Sequence, residues 1–311
     1  MPRCCLALFA LLPLAAQSIT LTGAGYADPT ALRVAPGQVV TLFATGLHTV
    51  LPNLEARPLA DPLADNIAGI SVTLSQPNQA ALPVPLLSIR QLPLCSSNAQ
   101  TPSCLLTAIT VQIPFELTGA TEWFTPTDTL TIAEYGGSSQ ATRVYPVPDN
   151  IHILTNCDVA TSPETAPPCS PIATHASGAL ITAAAPAHPG EEIVLWAYGL
   201  GLTSPQAVTG ESSPTPAAVL AQRLTLNFDI TPNASPSRPI PNLPGLLPPT
   251  PVFAGLAPGQ FGLYQINVVI PTPAEPGVYT LTCPAVASNL TINLAGQSSF
   301  DGAPICVQPT P

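Results

Sequence analysis

Short runs of alternating apolar and polar residues recur along the chain, each closed by glycine or proline. QINVVIP, residues 265–271, puts Ile266, Val268 and Ile270 on one side of an extended backbone. AITVQIP, residues 108–114, does the same with Ile109, Val111 and Ile113. Side chains of a strand point alternately to its two faces, so a period of two predicts half-buried strands. The closing prolines, Pro114 and Pro271, have no N–H to donate and end the pairing. GISVTLS (69–75) and RLTLNFD (223–229) alternate as strictly, turning Ile70, Val72, Leu74 and Leu224, Leu226, Phe228 toward a core.

These runs come in two ordered sets. APGQVVTLFATGL (35–47) aligns with HPGEEIVLWAYGL (188–200), with Pro36/Pro189, Gly37/Gly190, Leu42/Leu195, Ala44/Ala197, Gly46/Gly199 and Leu47/Leu200 identical. In each set a Pro-Gly turn launches a strand, and the later glycine permits a positive-φ bend. Three motifs in one order, twice, predict a tandem duplication of units spanning 18–154 and 179–308. Short strands separated by turn signals give the fold class: all-β, two tandem immunoglobulin-like antiparallel β-sandwiches. Residues 155–178, rich in Pro, Ser and Thr and without apolar period, read as the linker. The second unit carries a proline-rich insertion over 231–251, expected to be an exposed excursion. The first has a cysteine-bracketed loop where the second has the turn sequence AGLAPGQFG.

Composition agrees with many short strands. Apolar residues make up 46% of the 311, only 8% are charged, and 41 are proline, which helix interiors and central strands exclude. The net charge of −10, with seven Lys and Arg together and no lysine among them, excludes a nucleic-acid backbone as partner and an anionic lipid surface as anchor. The first residues, MPRCCLALFALLPLAAQS, set one positive charge before an apolar run and then small residues. That order predicts a secretory signal peptide over 1–16, cleaved after Ala16, and its apolar run is too short to span a bilayer. Nothing else in the sequence is apolar enough to span one. The product is expected to be secreted or at the cell surface, with the periplasm also open.

Export changes how cysteine reads. Cys95, Cys104, Cys157, Cys169, Cys283 and Cys306 fall as three pairs close in sequence, and none has the C-x-x-C spacing of a zinc or redox site. In an oxidising compartment they are expected to form three local disulfides, although six cysteines allow other connectivities.

The stretch from ITAAAPAHPGEEIVLWAYGLG through FAGLAPGQFGLYQINVVIP to SNLTINL, residues 181–294, resembles an uncharacterised C-terminal domain family of secreted acidobacterial proteins. The first unit is similar to a divergent relative lacking the AGLAPG turn, and the broader likeness is to bacterial Ig-like and IPT/TIG-type modules. The resemblance implies an exported Ig-like protein and carries over no catalytic residue.

Candidate chemistry is sparse. No nucleophile elbow, zinc-protease helix, phosphate loop or EF-hand loop is present. His48, His152, His175 and His188 are scattered and read as solvated loop residues. Asp61, Asp65 and Asn66 share a loop of oxygen ligands that matches no established calcium spacing, and turn formation explains them as well. No catalytic residue, metal or cofactor is therefore assigned. The aromatics carry more information because they are few. Trp123 and Phe124 sit in a turn-rich loop, either as a lid on the first core or as an exposed pair that stacks on a sugar or a partner. Trp196 and Tyr198 share one strand face opposite Ile193, Leu195 and Ala197, so that face either packs internally or meets another domain, subunit or ligand. The function expected is a non-catalytic exported protein for adhesion, scaffolding or ligand binding, with a protein or glycan partner at the cell surface. A strand-donating surface or pilus-like subunit and a secreted carbohydrate-active hydrolase are the alternatives.

Overall fold

The alternating runs are strands, and their apolar positions face two separate cores. The computed structural model describes residues 19–24, 32–58, 60–95, 101–118, 128–135, 137–139, 141–158, 169–228, 251–272, 289–294 and 299–308. The first sandwich is built on β1 (Thr20–Ala24), β2 (Arg33–Val34), β3 (Val39–Thr45), β4 (Ile70–Ser75), β5 (Leu86–Pro93), β6 (Leu105–Gln112), β7 (Asp128–Glu134) and β8 (Thr142–Pro146). The second is built on β9 (His152–Ile153), β10 (Ala173–His175), β11 (Glu192–Tyr198), β12 (Leu224–Phe228), β13 (Pro251–Leu256), β14 (Tyr264–Val269), β15 (Leu290–Leu294) and β16 (Phe300–Ala303). Helical structure among the described residues is confined to the short 3₁₀ turns Pro52–Leu54 and Pro102–Cys104. No helix there is long and apolar enough to cross a membrane.

In the first sandwich a sheet ordered β1-β3-β6-β5 faces one ordered β2-β8-β7-β4. In the second, β9-β11-β14-β13 faces β12-β15-β16. Both are the two-sheet arrangement of an immunoglobulin-like sandwich. Among the named strands pairing is antiparallel except where β2 runs parallel to β8. The registers also correspond. Leu42 pairs with Ile109 and Val40 with Val111 in the first sandwich, and Leu195 pairs with Ile266 and Ile193 with Val268 in the second. The Pro-Gly turns close onto the ends of these strands in one way. Gly37 N–H donates to Ile113 O at 3.0 Å and Gly190 N–H to Ile270 O at 2.8 Å, each glycine at positive φ (71° and 83°).

The first core is formed by Val40, Leu42, Ile109 and Val111 against Ile70, Val72, Leu74, Leu130 and Ile132. The second sets Ile193, Leu195, Ile266 and Val268 against Leu224, Leu226, Phe228, Leu290 and Ile292. Each such side chain contributes about 1.5–3 kcal/mol by leaving water. That burial drives the two layers together.

The structure differs from the sequence reading at the junction. Residues 152–153 and 173–175, read as the end of the first unit and part of a linker, pair along one edge of β11: His152 with Tyr198, Ile153 with Ala197, Ala173 with Leu195 and Thr174 with Val194. Between them Ile172 N–H donates to Leu154 O, Asn156 N–H donates to Ser170 O, and Cys157 is bonded to Cys169, so residues 154–157 are tied to residues 169–172. Cys95–Cys104 is the other disulfide between described cysteines. Cys306 is disulfide-bonded, while Cys283 lies outside the described residues.

The two sandwiches touch through a defined joint. Phe115, just past β6, is 2% exposed, covers Gly37 and belongs to the second core. Its amide donates to Thr209 Oγ1 at 2.8 Å, Gly210 N–H donates to Gln112 Oε1 at 2.8 Å, and Leu63 N–H donates to Gly210 O at 2.7 Å.

Candidate functional site

Strand β11 has one face in the second core and one face outward. Ile193, Leu195 and Ala197 are buried, whereas Trp196 and Tyr198 are half-buried on the opposite side with Val194 and Glu192. Alternation along the strand forces this division. The antiparallel register then decides what lies beside them. Gln265 of β14 is directly opposite Trp196, and Asn267 is opposite Val194. One strand further, Gly255 and Phe253 of β13 stand opposite Gln265 and Asn267. Gly255 lets the Phe253 ring lean across this face, since a Cβ there would stand 2.9 Å from the ring's Cζ.

A ladder of polar groups crosses the same surface. Gln265 Nε2 donates to Asn267 Oδ1 at 2.8 Å, and Asn267 Nδ2 donates to Glu192 Oε1 at 2.9 Å. The outcome is three aromatic rings, Trp196, Tyr198 and Phe253, set around a line of amides ending in a carboxylate. The backbone groups beneath are engaged in the sheet, so what this face presents is its side chains.

At the β9 end of the face lies a partly buried polar cluster. The His152 ring sits between two carboxylates, with Nε2 3.0 Å from Asp158 Oδ2 and Nδ1 3.6 Å from Asp301 Oδ2. Asp301 Oδ2 also accepts from Ile153 N–H at 2.7 Å, and the Ser299 hydroxyl donates to Asp149. Burial pushes the carboxyls of Asp149 and Asp301 up, opposed by these hydrogen bonds. Burial acts in the same direction on Asp158, but hydrogen bonds from His152 and Thr155 outweigh it and hold that carboxyl down. Burial, and then the nearby Asp158 charge, raises the Tyr198 phenol. Both nitrogens of His152 face carboxylates and Ser299 is turned to Asp149, so these groups are not arranged as nucleophile and base. The cluster instead fastens β9 to β16 and holds Asp158 near Tyr198.

Comparison of the chain with known protein families and with curated proteins finds no match. The site is therefore read from its geometry.

Of the aromatics singled out in the sequence, Trp196 and Tyr198 come together on this face, while Trp123 and Phe124 lie outside the described residues. Phe253, Gln265, Asn267 and Glu192 were missed. Each is an ordinary outward position of its own strand, and only the pairing of β11, β14 and β13 brings them together. Tyr135 was missed too. It is 76% exposed at positive φ, and its hydroxyl donates to Ala68 O at 2.9 Å, laying its ring across Gly69.

The other candidates have structural partners. Asp61, considered for calcium, accepts from the backbone N–H and hydroxyl of Ser212 across the joint. Asn66 Oδ1 accepts from Gly69 N–H at 3.0 Å in a turn. No group of three metal-ligating side chains converges among the described residues. His48 is an exposed loop histidine as expected, whereas His152, His175 and His188 are half-buried, the first two of them on strands. His48 contacts Glu134, His175 pairs with Glu191, and His188 Nδ1 lies 2.7 Å from Gln308 O.

Proposed function

We propose that the protein is an exported, non-catalytic pair of Ig-like modules that binds a ligand at the cell surface, with the second module as the binding unit. The observation that carries this reading is the outward face of β11, β14 and β13, where three aromatic rings flank a hydrogen-bonded ladder of amides. Binding sites combine apolar and aromatic contact area with a few placed polar groups, and this face has that composition. The signal-like residues 1–16 and the two disulfides support an oxidising destination outside the cytoplasm. The shared strand order and registers support descent of the two modules from one duplicated unit.

The test is retention of labelled protein, starting at Gln17, on isolated cell envelopes. Wild type is expected to be retained in a saturable manner, and Trp196→Ala to lose that retention while keeping its melting temperature within a few degrees. Saturable retention untouched by the substitution would move the binding site elsewhere. Turnover of a glycan, ester or peptide substrate, abolished by changing one carboxylate or serine, would refute the non-catalytic reading.

A further inference from the structure

We infer that the ligand of this face is an uncharged polysaccharide, its sugar rings lying flat on Trp196, Tyr198 and Phe253 and its hydroxyls bonded by Gln265, Asn267 and Glu192; this rests on the binding role proposed above. The first argument is ring geometry. Trp196 and Tyr198 are two residues apart on one strand, hence about 7 Å apart along it. Phe253 lies two strands across, on the far side of Asn267. Aromatic faces carry a negative quadrupole and attract the C–H faces of a pyranose while excluding water around the contact. Rings spread over an open sheet suit a repeating, extended ligand better than one small molecule, which wants a concave pocket.

Hydrogen-bonding capacity is the second argument. An amide has two N–H donors and a carbonyl with two lone pairs, so the bonds along Gln265, Asn267 and Glu192 leave capacity for further partners. Donors and acceptors side by side match hydroxyl groups, which both give and accept.

Charge is the third argument. The outward positions named here include Glu192, with Asp158 beside Tyr198, and include no arginine in a chain that has no lysine. An anionic polymer would meet repulsion from that surface. A peptide strand adding by backbone pairing needs an open edge, whereas the backbones of β11 and β14 are paired on both sides.

The experiment uses the protein from Gln17 with Trp123→Phe, which leaves Trp196 as the one tryptophan. Its emission is titrated with xylan, mixed-linkage β-glucan and dextran as neutral polymers, alginate as the anionic one and chitosan as the cationic one. The expected result is a saturable spectral shift with at least one neutral polymer, unchanged in 1 M salt. Affinity electrophoresis in that polymer should show retardation reduced at least tenfold by Trp196→Ala. Gln265→Ala and Asn267→Ala, on the same face and not in the core, should each reduce it severalfold. If Trp196→Ala does not fold, those two variants decide. Binding only to alginate or chitosan, or binding to a neutral polymer that none of the three substitutions weakens, overturns the inference. Envelope retention without binding to any neutral polymer overturns the ligand class and leaves the binding role standing. Loss of envelope retention as well defeats the role itself.

Discussion

A carboxylate as buried as that of Glu134, 4% exposed, is tolerated only where donors answer its charge. The backbone N–H groups of His48 and Thr49 each donate to it at 2.7 Å, and the His48 ring lies 3.2 Å away. Burial alone would raise this carboxyl, but the bonds from His48 and Thr49 together outweigh burial and leave it lowered. The side chain thus ties the end of β7 to the loop after β3. A lowered carboxyl stabilises the fold above the ordinary Glu range, about pH 4.3, and the contribution is lost as pH falls through the folded value. Glu134→Gln preserves shape and removes the charge. It is expected to cost about 1.5–3 kcal/mol at pH 7, the worth of hydrogen bonds to an ionised group. Urea titrations should show the gap from wild type closing between pH 5 and pH 3. An equal gap at both ends of that range would mean that packing, not charge, holds this loop. The pair His175 and Glu191 has two limits. Its histidine, raised chiefly by the bond to Glu191, contributes below the ordinary histidine range and fades as pH rises through the raised value. Its carboxyl, which burial would raise, is held low by bonds from His175 and His188, so its contribution fades toward acid. Measured against His175→Ala, the wild-type advantage should therefore peak near pH 5–6 and shrink on both sides; a flat advantage would remove the ion pair from the account.

Between residues and modules, the segment joining β9 to β10 on the edge of β11 is the element with most to test. It starts and ends in sheet strands, and Cys157–Cys169, with a sequence separation of 12, closes it. In the chain-entropy account, closing a loop of that size disfavours the unfolded state by about 3 kcal/mol. Replacing both cysteines with serine is expected to lower stability by about 2–3 kcal/mol in denaturant titration without changing the strand content seen by circular dichroism. No change in the midpoint would mean that this segment lies outside the cooperative unit. This element also marks what could be read from sequence. Strands β4, β6, β12 and β14 were legible because five to eight residues of alternation leave few alternatives, and β3 and β11 because the same Pro-Gly-to-Gly motif recurs. β9 and β10 were not, because two or three residues cannot show a period and their place comes from backbone pairing with an existing edge. The candidate site divides the same way. Trp196 and Tyr198 could be assigned to one face from alternation alone, but that Gln265 opposes Trp196 and that Gly255 makes room for Phe253 are facts of register. Register is set by whole sheets.

At the scale of the whole molecule, the two sandwiches are coupled through Phe115. Its backbone belongs to the chain leaving β6 of the first sandwich, and its side chain sits in the core of the second. Around it, Gln112, Leu63 and Asp61 bond to Gly210 and Ser212, and Asn150 N–H donates to Gly199 O at 2.8 Å. Gly199 has no room for a side chain, because a Cβ there would stand 2.1 Å from Asn150 O. These contacts fix the second module against the first, so the aromatic face is presented at a set angle and not on a free tether. Coupling of this kind has a thermodynamic signature. While Phe115 is buried, unfolding either sandwich exposes part of a shared core, so wild type is expected to melt in a single calorimetric transition. Phe115→Ala removes the ring and leaves a cavity, at a cost of about 3–5 kcal/mol. It should lower the main transition and separate a second one from it, with Trp196 fluorescence following one component only. A variant that still melts in one transition within a degree of wild type would show that the modules are joined by the chain and its surface hydrogen bonds, and that the buried ring couples nothing.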